Sequence, residues 1–171
     1  MRIIGSIDNA VIWNSTYHLI ITQDEILKFK IMDSEEKLLD LYDTQMENPK
    51  RFIPVEGEIS NYNITREEVQ NIIQENLMRG KEIEENLDKI MEDKPNYLEI
   101  ILNSSIEAVT LSNGTAVTLP HVEFKLTRGH LKFHLNHSNH QGRGKLPEDV
   151  FAKYEDALKE AFGEKLNVKN N

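Results

Sequence analysis

The chain has 171 residues, of which 39% are hydrophobic and 29% are charged, and its net charge is −9. This length and this hydrophobic share are sufficient for one domain with a buried core, and they exclude an intrinsically disordered chain. The absence of cysteine excludes disulfides, thiolate metal sites and cysteine nucleophiles, while the negative net charge argues against a surface that is basic throughout.

The first segment, residues 1–32, predicts antiparallel strands. β-Branched and aromatic residues, which are typical of strands, concentrate in three runs: residues 11–13, 17–21 and 26–31. In the third run, apolar side chains alternate with Lys28 and Lys30. Because a half-buried strand has this period of two, both lysines are expected to face water.

Residues 33–95 predict a helical insertion. A short helix is predicted over residues 34–46, and a long one begins at Thr65, where apolar residues start to recur every three or four positions. Gly80 interrupts the long helix and predicts a kink or a close packing contact. The segment holds 17 acidic and 8 basic residues. This excess predicts a solvated helical face or, as the alternative, a docking surface for a basic partner.

Residues 96–136 predict a second set of antiparallel strands. The candidates are short runs rich in β-branched and aliphatic residues: residues 97–102, 106–111, 116–119, 122–126 and 131–135. Between two of them, Asn113-Gly114 favours a tight type I′ hairpin turn, because Asn-Gly readily adopts positive φ. Arg128-Gly129 predicts the next reversal of the chain.

Residues 147–163 predict a C-terminal amphipathic helix. Pro147 suits the start of a helix, Gly163 suits its end, and the apolar residues between them share one face. Taken together, these elements predict a single α+β domain over residues 1–171. The antiparallel sheet is formed by residues 1–32 and 96–136, and the helical insertion lies between these two segments in the sequence.

This order of elements resembles the pleckstrin-homology-like superfold, including its GRAM-type and prokaryotic members. The resemblance rests on the strand, turn and strand of Tyr17–Leu27, and on the run Ser105–Leu111 with the strands and helix that follow it. It covers roughly residues 1–32 and 97–166. It implies an antiparallel curved sheet or partly open barrel carrying an insertion. It also implies a binding module for lipid headgroups, peptides or copies of itself.

The stretch from Lys125 to Lys145 is basic and contains no acidic residue. Its cationic residues are the candidate anion-binding residues: Lys125, Arg128, Lys132, Arg143 and Lys145. If Arg128-Gly129 is a two-residue turn, Lys125 lies opposite Lys132, and a phosphate, a nucleic-acid backbone or an acidic surface would relieve their repulsion. The alternative is a solvated hairpin face, on which lysines prevent pairing between sheet edges. On the opposite face of the hairpin, Phe124 and Phe133 are expected to lie in the core.

The same stretch contains four histidines, at positions 130, 134, 137 and 140. The alternating pattern predicts a strand, in which His130 and His134 are about 13 Å apart and too distant to share one metal ion. Only His134, His137 and His140 can converge through the following loop, so they are weak metal candidates. No metal site and no other cofactor is predicted.

The sequence as a whole predicts a non-catalytic binding or assembly module. It has no Gly-x-Ser-x-Gly motif and no phosphate-binding glycine loop before a helix, so no catalytic residue is assigned. A protein partner or self-association through the long helix is expected. The alternatives are a metal- or phosphate-dependent enzyme using residues 130–140, and a nucleic-acid or anionic-lipid binder using residues 125–145. No signal-peptide pattern or membrane-length apolar run occurs, which predicts a soluble cytoplasmic protein.

Overall fold

The computed structural model describes residues 1–12, 15–33, 66–115, 118–135 and 145–170. The strands within these ranges are β1 (Ile3–Ile12), β2 (Ser15–Thr22), β3 (Glu25–Asp33), β4 (Leu98–Leu102), β5 (Ile106–Ser112), β6 (His121–Leu126), β7 (His130–Leu135) and β8 (Leu166–Lys169). The helices are α1 (Arg66–Glu85), α2 (Leu87–Asp93) and α3 (Glu148–Phe162). The predicted helix over residues 34–46, together with His137, His140 and Arg143, lies outside the described residues.

All eight strands belong to one sheet, in the order β4-β3-β2-β1-β7-β6-β5-β8. Every neighbouring pair is antiparallel except β5 and β8, which run parallel. Ala10 pairs with Leu135 and Val11 with His134, and these pairs join the first group of strands to the second. Among the described strands the sheet is not closed, and β4 and β8 are its edges. The predicted α+β fold with an antiparallel sheet is confirmed.

One face of the sheet packs against α3. The helix contributes buried apolar side chains at three- and four-residue spacing: Phe151, Tyr154, Leu158 and Phe162. Gly5 of β1 allows close approach, because a Cβ at this position would lie 2.5 Å from the Cβ of Ala157. The main core therefore lies between α3 and residues from both groups of strands.

The other face of the sheet is covered over β1–β3 by α1 and α2. Leu87 is buried against Ile20, Leu27 and Phe29, and further apolar side chains of the two helices pack around this cluster. Ile83 and Ile90 are among these partly buried residues. The apolar stripe from which the sequence predicts a homodimer therefore packs on the sheet of its own chain.

Lys28 of β3 is less exposed than its sequence pattern predicts. This lysine is 8% exposed, whereas its neighbour Lys30 is exposed as predicted. The prediction that Lys28 faces water is wrong, because its side chain lies on the α3 side of the sheet. There the Nζ atom lies 5.0 Å from the centre of the Tyr17 ring.

Several element boundaries differ from the prediction. β1 begins at Ile3, well before the predicted run at residue 11, and it contains a bulge at Asn9, whose φ is 48°. The predicted long helix is interrupted at Asn86, between α1 and α2. At Gly80 the helix continues, and this residue makes a close packing contact, as one of the two predicted alternatives. The chain also continues beyond α3 into β8, so α3 is not the last element.

The turn predicted at Asn113-Gly114 is a longer connection. β5 ends at Ser112 and β6 begins at His121, so the predicted strand does not occur at residues 118 and 119, while residues 116 and 117 are outside the described ranges. Gly114 has a φ of 78°, but Asn113 does not have positive φ. A type I′ turn requires positive φ at both residues. Asn113 instead accepts a hydrogen bond from the backbone N–H of Leu146, at 2.8 Å.

Candidate functional site

The β6–β7 hairpin contains three of the predicted cationic residues. Its core side is as predicted, because Phe124 and Phe133 are buried and their rings pack edge to face with centroids 6.2 Å apart. Its register differs from the prediction. Leu126 donates to the carbonyl of Gly129, at 2.9 Å, and Gly129 has a φ of 91°. The reversal therefore uses residues 127–129 instead of two residues.

This register removes the lysine pair on which the anion-binding prediction depends. Lys132 lies opposite Glu123, and Lys125 lies opposite His130. Lys125 Nζ also lies 3.5 Å from Glu107 Oε2 on β5. The two lysines consequently have carboxylates nearby, and the expected repulsion between them does not arise.

The remaining predicted cations are spread along the chain. Arg128 is exposed in the turn of the hairpin, and Lys145 is exposed in the segment before α3. Arg143 lies outside the described residues. The structure therefore brings Lys125, Arg128 and Lys132 onto one hairpin. Anion binding by the whole set stays a prediction.

The histidines of the hairpin face different environments. His130 is exposed, whereas His134 is half-buried opposite His121. Burial lowers the pKa of His134, and the positive charge of Lys132 lowers it further. Among the described residues, no three metal-ligating side chains come together. His137 and His140 are outside these residues, so the convergence of His134, His137 and His140 stays a hypothesis.

A buried polar cluster that the sequence analysis did not find lies under α1. Its centre is His18 of β2, which is 1% exposed. His18 Nε2 lies 2.7 Å from Glu84 Oε1 of α1, and His18 Nδ1 lies 3.1 Å from Asp8 Oδ1 of β1. The first contact is a hydrogen bond, whereas the second has an ion-pair distance without hydrogen-bond geometry. The imidazole is thus held between two carboxylates.

Gly80 makes this arrangement sterically feasible. It lies one helical turn before Glu84 and packs directly on the imidazole, where a Cβ would come within 2.5 Å of His18 Nδ1. Residues four apart share a helix face. Gly80, which has no side chain, therefore lets α1 approach the imidazole of His18, and Glu84 on the same helix face places its carboxylate beside the ring.

Opposing effects determine the protonation of His18. Burial alone would lower the pKa of His18, but the contacts with Asp8 and Glu84 outweigh burial and raise it above its ordinary value of 6.5. The hydrogen bond from His18 lowers the pKa of Glu84 below 4.5, although burial acts in the opposite direction. The protonated imidazole and the ionised carboxylate stabilise each other.

Helix α3 reaches the same cluster from the other face of the sheet. The backbone N–H of Asp8 donates to the hydroxyl of Tyr154, at 3.3 Å, and Lys153 Nζ lies 3.8 Å from Asp8 Oδ2. Burial raises the pKa of the Tyr154 phenol. Asp8 therefore connects β1 to α3 directly and to α1 through His18. Sequence reasoning missed this cluster because its members are remote in the chain, and the only local signal was one histidine inside an apolar run.

The outer edge of β4 is the second notable surface. Ile100 is 45% exposed and Leu102 is 55% exposed, and both side chains lie on the same face of the strand. Tyr97, which precedes β4, is 44% exposed. In the described part of the chain, no strand pairs with this edge. An apolar edge strand with unpaired backbone groups is a surface on which another strand can add.

Comparisons with protein-family models, with curated proteins and with solved structures find no match for this chain. The functional assignment therefore depends on the geometry of its own residues. No helix in the described ranges combines the length and apolarity needed to cross a membrane.

Proposed function

We propose that the protein is a non-catalytic binding or assembly module that binds a protein partner by adding a β-strand to the outer edge of β4. The observation that carries this proposal is the exposure of Ile100 and Leu102 on an edge with which no strand of the described residues pairs. Strand addition uses main-chain hydrogen bonds for affinity and alternate side chains for specificity. β4 offers both kinds of contact.

The backbone of β4 is oriented for strand addition. The carbonyl of Tyr97 accepts from Lys30 of β3, and the N–H of Asn103 donates to Asp24. The backbone N–H and C=O groups of the odd-numbered residues of β4 therefore point toward β3, because these groups alternate between the two edges of a strand from one residue to the next. The N–H and C=O of Ile100 consequently point away from the sheet, toward an incoming strand.

The side chains of β4 do not protect this edge. Natural edge strands are commonly protected by lysine, proline or a bulge. β4 has the sequence Leu-Glu-Ile-Ile-Leu, and its one charged residue, Glu99, contacts Lys28 on the α3 side of the sheet. The opposite edge, β8, instead carries Asn167 and Lys169 as exposed residues. The contrast supports β4 as the edge that binds.

The strand order supports placing this module on a pleckstrin-homology-like scaffold. The resemblance implies two sets of antiparallel strands followed by a helix that packs on them. β1–β4 and β5–β7 are such sets, and α3 packs against residues of both. The parallel strand β8 and the helices α1 and α2 are additions to that pattern.

The burial of the His18 cluster supports a non-catalytic role. Its imidazole is buried, and both of its ring nitrogens face carboxylates. Catalysis requires an acid, a base and an electrophilic group assembled around space for a substrate. The cluster instead fixes α1 to the sheet.

Selection of peptides from a random library against the folded protein tests this proposal. We expect the selected peptides to bind the wild type and to lose binding to Ile100→Lys, which places a charge on the β4 edge. Asn167→Lys on β8 is the matched control and should bind the peptides as the wild type does. Selected peptides that bind both variants equally well would contradict the proposal.

A further inference from the structure

We infer that the strand added to β4 comes from a second copy of this chain, paired antiparallel about a two-fold axis through Ile100. This inference rests on the proposed function and names its partner. Closed two-fold dimers are the commonest soluble homo-oligomers, and their interfaces are self-complementary. Three features of β4 make it complementary to itself: its side-chain pattern, its charges and its backbone groups.

The side-chain pattern of β4 is symmetric about Ile100. On the face that carries the exposed residues, the order is Leu98, Ile100 and Leu102. In the two-fold pairing, Ile100 lies opposite its copy, and Leu98 lies opposite Leu102 of the second copy. Opposed aliphatic side chains on neighbouring strands stabilise a sheet. The exposed parts of Ile100 and Leu102 would thereby be covered.

The charges of β4 are compatible with the same register. Glu99 lies opposite Ile101 of the second copy, so the two glutamates are not paired with each other. Directly opposed like charges would destabilise the sheet. Each Glu99 also keeps its contact with Lys28 of its own chain, on the face away from the aliphatic row.

The backbone groups of β4 match as well. The outward N–H and C=O of Ile100 meet the C=O and N–H of its copy, which gives a reciprocal pair of hydrogen bonds. At the two ends of β4, one outward group each already has a local hydrogen-bond partner. The N–H of Leu98 donates to the carbonyl of Pro95, and the carbonyl of Leu102 accepts from the hydroxyl of Ser105, at 2.7 Å. The pairing is therefore centred on Ile100 and short.

A short interface between two acidic chains has a characteristic salt dependence. Each chain has a net charge of −9, so the copies repel each other at low ionic strength. Because the contacts at β4 are apolar and main-chain, added salt should strengthen the dimer. Binding to an anion through the basic hairpin would instead weaken with salt. The short strand predicts a dissociation constant of micromolar order or weaker.

Analytical ultracentrifugation of the full chain over a range of micromolar concentrations tests the inference. We expect a reversible monomer–dimer equilibrium that shifts toward dimer at higher salt. Ile100→Lys should abolish the dimer, and Asn167→Lys should retain it. Circular dichroism of each variant establishes that the fold is intact, as expected for substitutions at exposed positions.

Crosslinking provides a second measurement that reports the register. The chain contains no cysteine, so Ile100→Cys introduces a single thiol that meets its own copy on the two-fold axis. We expect oxidation to give a disulfide-linked dimer with Ile100→Cys, and much less with Asn167→Cys. A dimer that survives Ile100→Lys, or equal crosslinking of both cysteine variants, would overturn the inference.

The outcomes separate the inference from the proposed function. If the wild type is monomeric throughout and selected peptides bind at β4, self-pairing is wrong and the strand-binding module stands. If neither peptides nor second copies bind at β4, both are wrong. If the dimer forms and depends on Ile100, both are supported.

Discussion

His18 Nε2 and Glu84 Oε1 lie 2.7 Å apart, although the two residues are 66 positions apart in the chain. Their contact joins β2 to α1 within a face that is otherwise largely apolar. A buried ion pair is costly to desolvate, and removing one partner leaves the other uncompensated. The packing of α1 on the sheet should therefore depend on the protonation of both groups.

The first prediction concerns the pH dependence of Glu84→Gln. Because the pKa of His18 is raised, its contribution to stability is fully present below pH 6.5 and is lost as the pH rises through the raised value. Because the pKa of Glu84 is lowered, its contribution is fully present above pH 4.5 and is lost as the pH falls through the lower value. The stabilisation is greatest between these two limits.

Urea unfolding at a series of pH values measures this effect. Between the two limits, Glu84→Gln should lower the free energy of unfolding by about 1–3 kcal/mol, and the loss should shrink at alkaline pH. Glu85→Gln, an exposed neighbour on the same helix, is the control and should have little effect. A loss that does not vary with pH would contradict the assigned protonation states.

The second prediction concerns Gly80→Ala. Alanine favours a helix over glycine by about 1 kcal/mol, which alone would stabilise α1. The new Cβ would lie 2.5 Å from His18 Nδ1, so we expect a net loss of about 1–3 kcal/mol from overpacking. In a His18→Ala background the space is free, and Gly80→Ala should then stabilise. Chemical denaturation of the four proteins gives the sign in each background, and a stabilising effect in the wild type would contradict the packing argument.

Local patterns were sufficient to predict some elements of this fold. The apolar positions of α3 recur at helical spacing, and Phe124 and Phe133 alternate with polar residues in the β6–β7 hairpin. Both signals lie within short segments and require no knowledge of distant neighbours. The sequence therefore predicted the helix and the buried side of the hairpin correctly.

Non-local contacts account for most of the errors. The polar residues of β1 break its alternation, but Asp8 and Asn9 are buried or half-buried in contacts with residues of the helices: Asp8 with Tyr154, and Asn9 with Ile73. Lys28 follows the pattern of a half-exposed strand, but its side chain is buried beside Tyr17 and Glu99, which lie on the two neighbouring strands. β8 is four residues long and pairs with β5 in parallel, which no local signal indicates. The sequence predicted β4 as a strand, but its position at the edge of the described sheet follows only from the whole strand order.

The third prediction concerns Tyr154. Burial raises the pKa of its phenol above the ordinary value of 10, and the charge of Asp8 acts in the same direction. In an alkaline titration followed by phenolate absorbance, Tyr154→Phe should match the wild type until the protein unfolds. Tyr154→Phe should also cost about 1 kcal/mol, because the N–H of Asp8 loses its acceptor. A Tyr154 phenol that ionises in the folded protein would contradict its burial.

The fourth prediction compares the two partners of the Lys28–Glu99 pair. The side chain of Lys28 is 10% exposed and that of Glu99 is 61% exposed. Glu99→Ala leaves a buried ammonium without its carboxylate, so we expect a loss of about 1–3 kcal/mol. Lys28→Met removes the charge, keeps the apolar stem and leaves Glu99 in water, and it should cost less than about 1.5 kcal/mol.

An exposed pair provides the control for this comparison. Lys125 and Glu107 are 67% and 49% exposed, so Glu107→Ala should change the free energy of unfolding by less than about 1 kcal/mol. Thermal or urea unfolding of the three variants gives the ranking. Equal effects of Glu99→Ala and Glu107→Ala would show that burial of Lys28 does not determine the cost.

The fifth prediction tests the register of the β6–β7 hairpin. Lys132 lies opposite Glu123, whereas Lys125 is displaced from it along the neighbouring strand. Directly opposed residues have Cβ atoms about 4.5–5.5 Å apart, and diagonal neighbours are about 7–8 Å apart. Because a disulfide needs the shorter separation, Glu123→Cys with Lys132→Cys should crosslink faster than Lys125→Cys with Lys132→Cys. Oxidation of the two double variants, followed by counting free thiols, measures this difference in a chain that has no cysteine of its own. Faster crosslinking of the Lys125→Cys and Lys132→Cys variant would contradict this register. It would support the two-residue turn, in which Lys125 and Lys132 repel each other and an anion would relieve the repulsion.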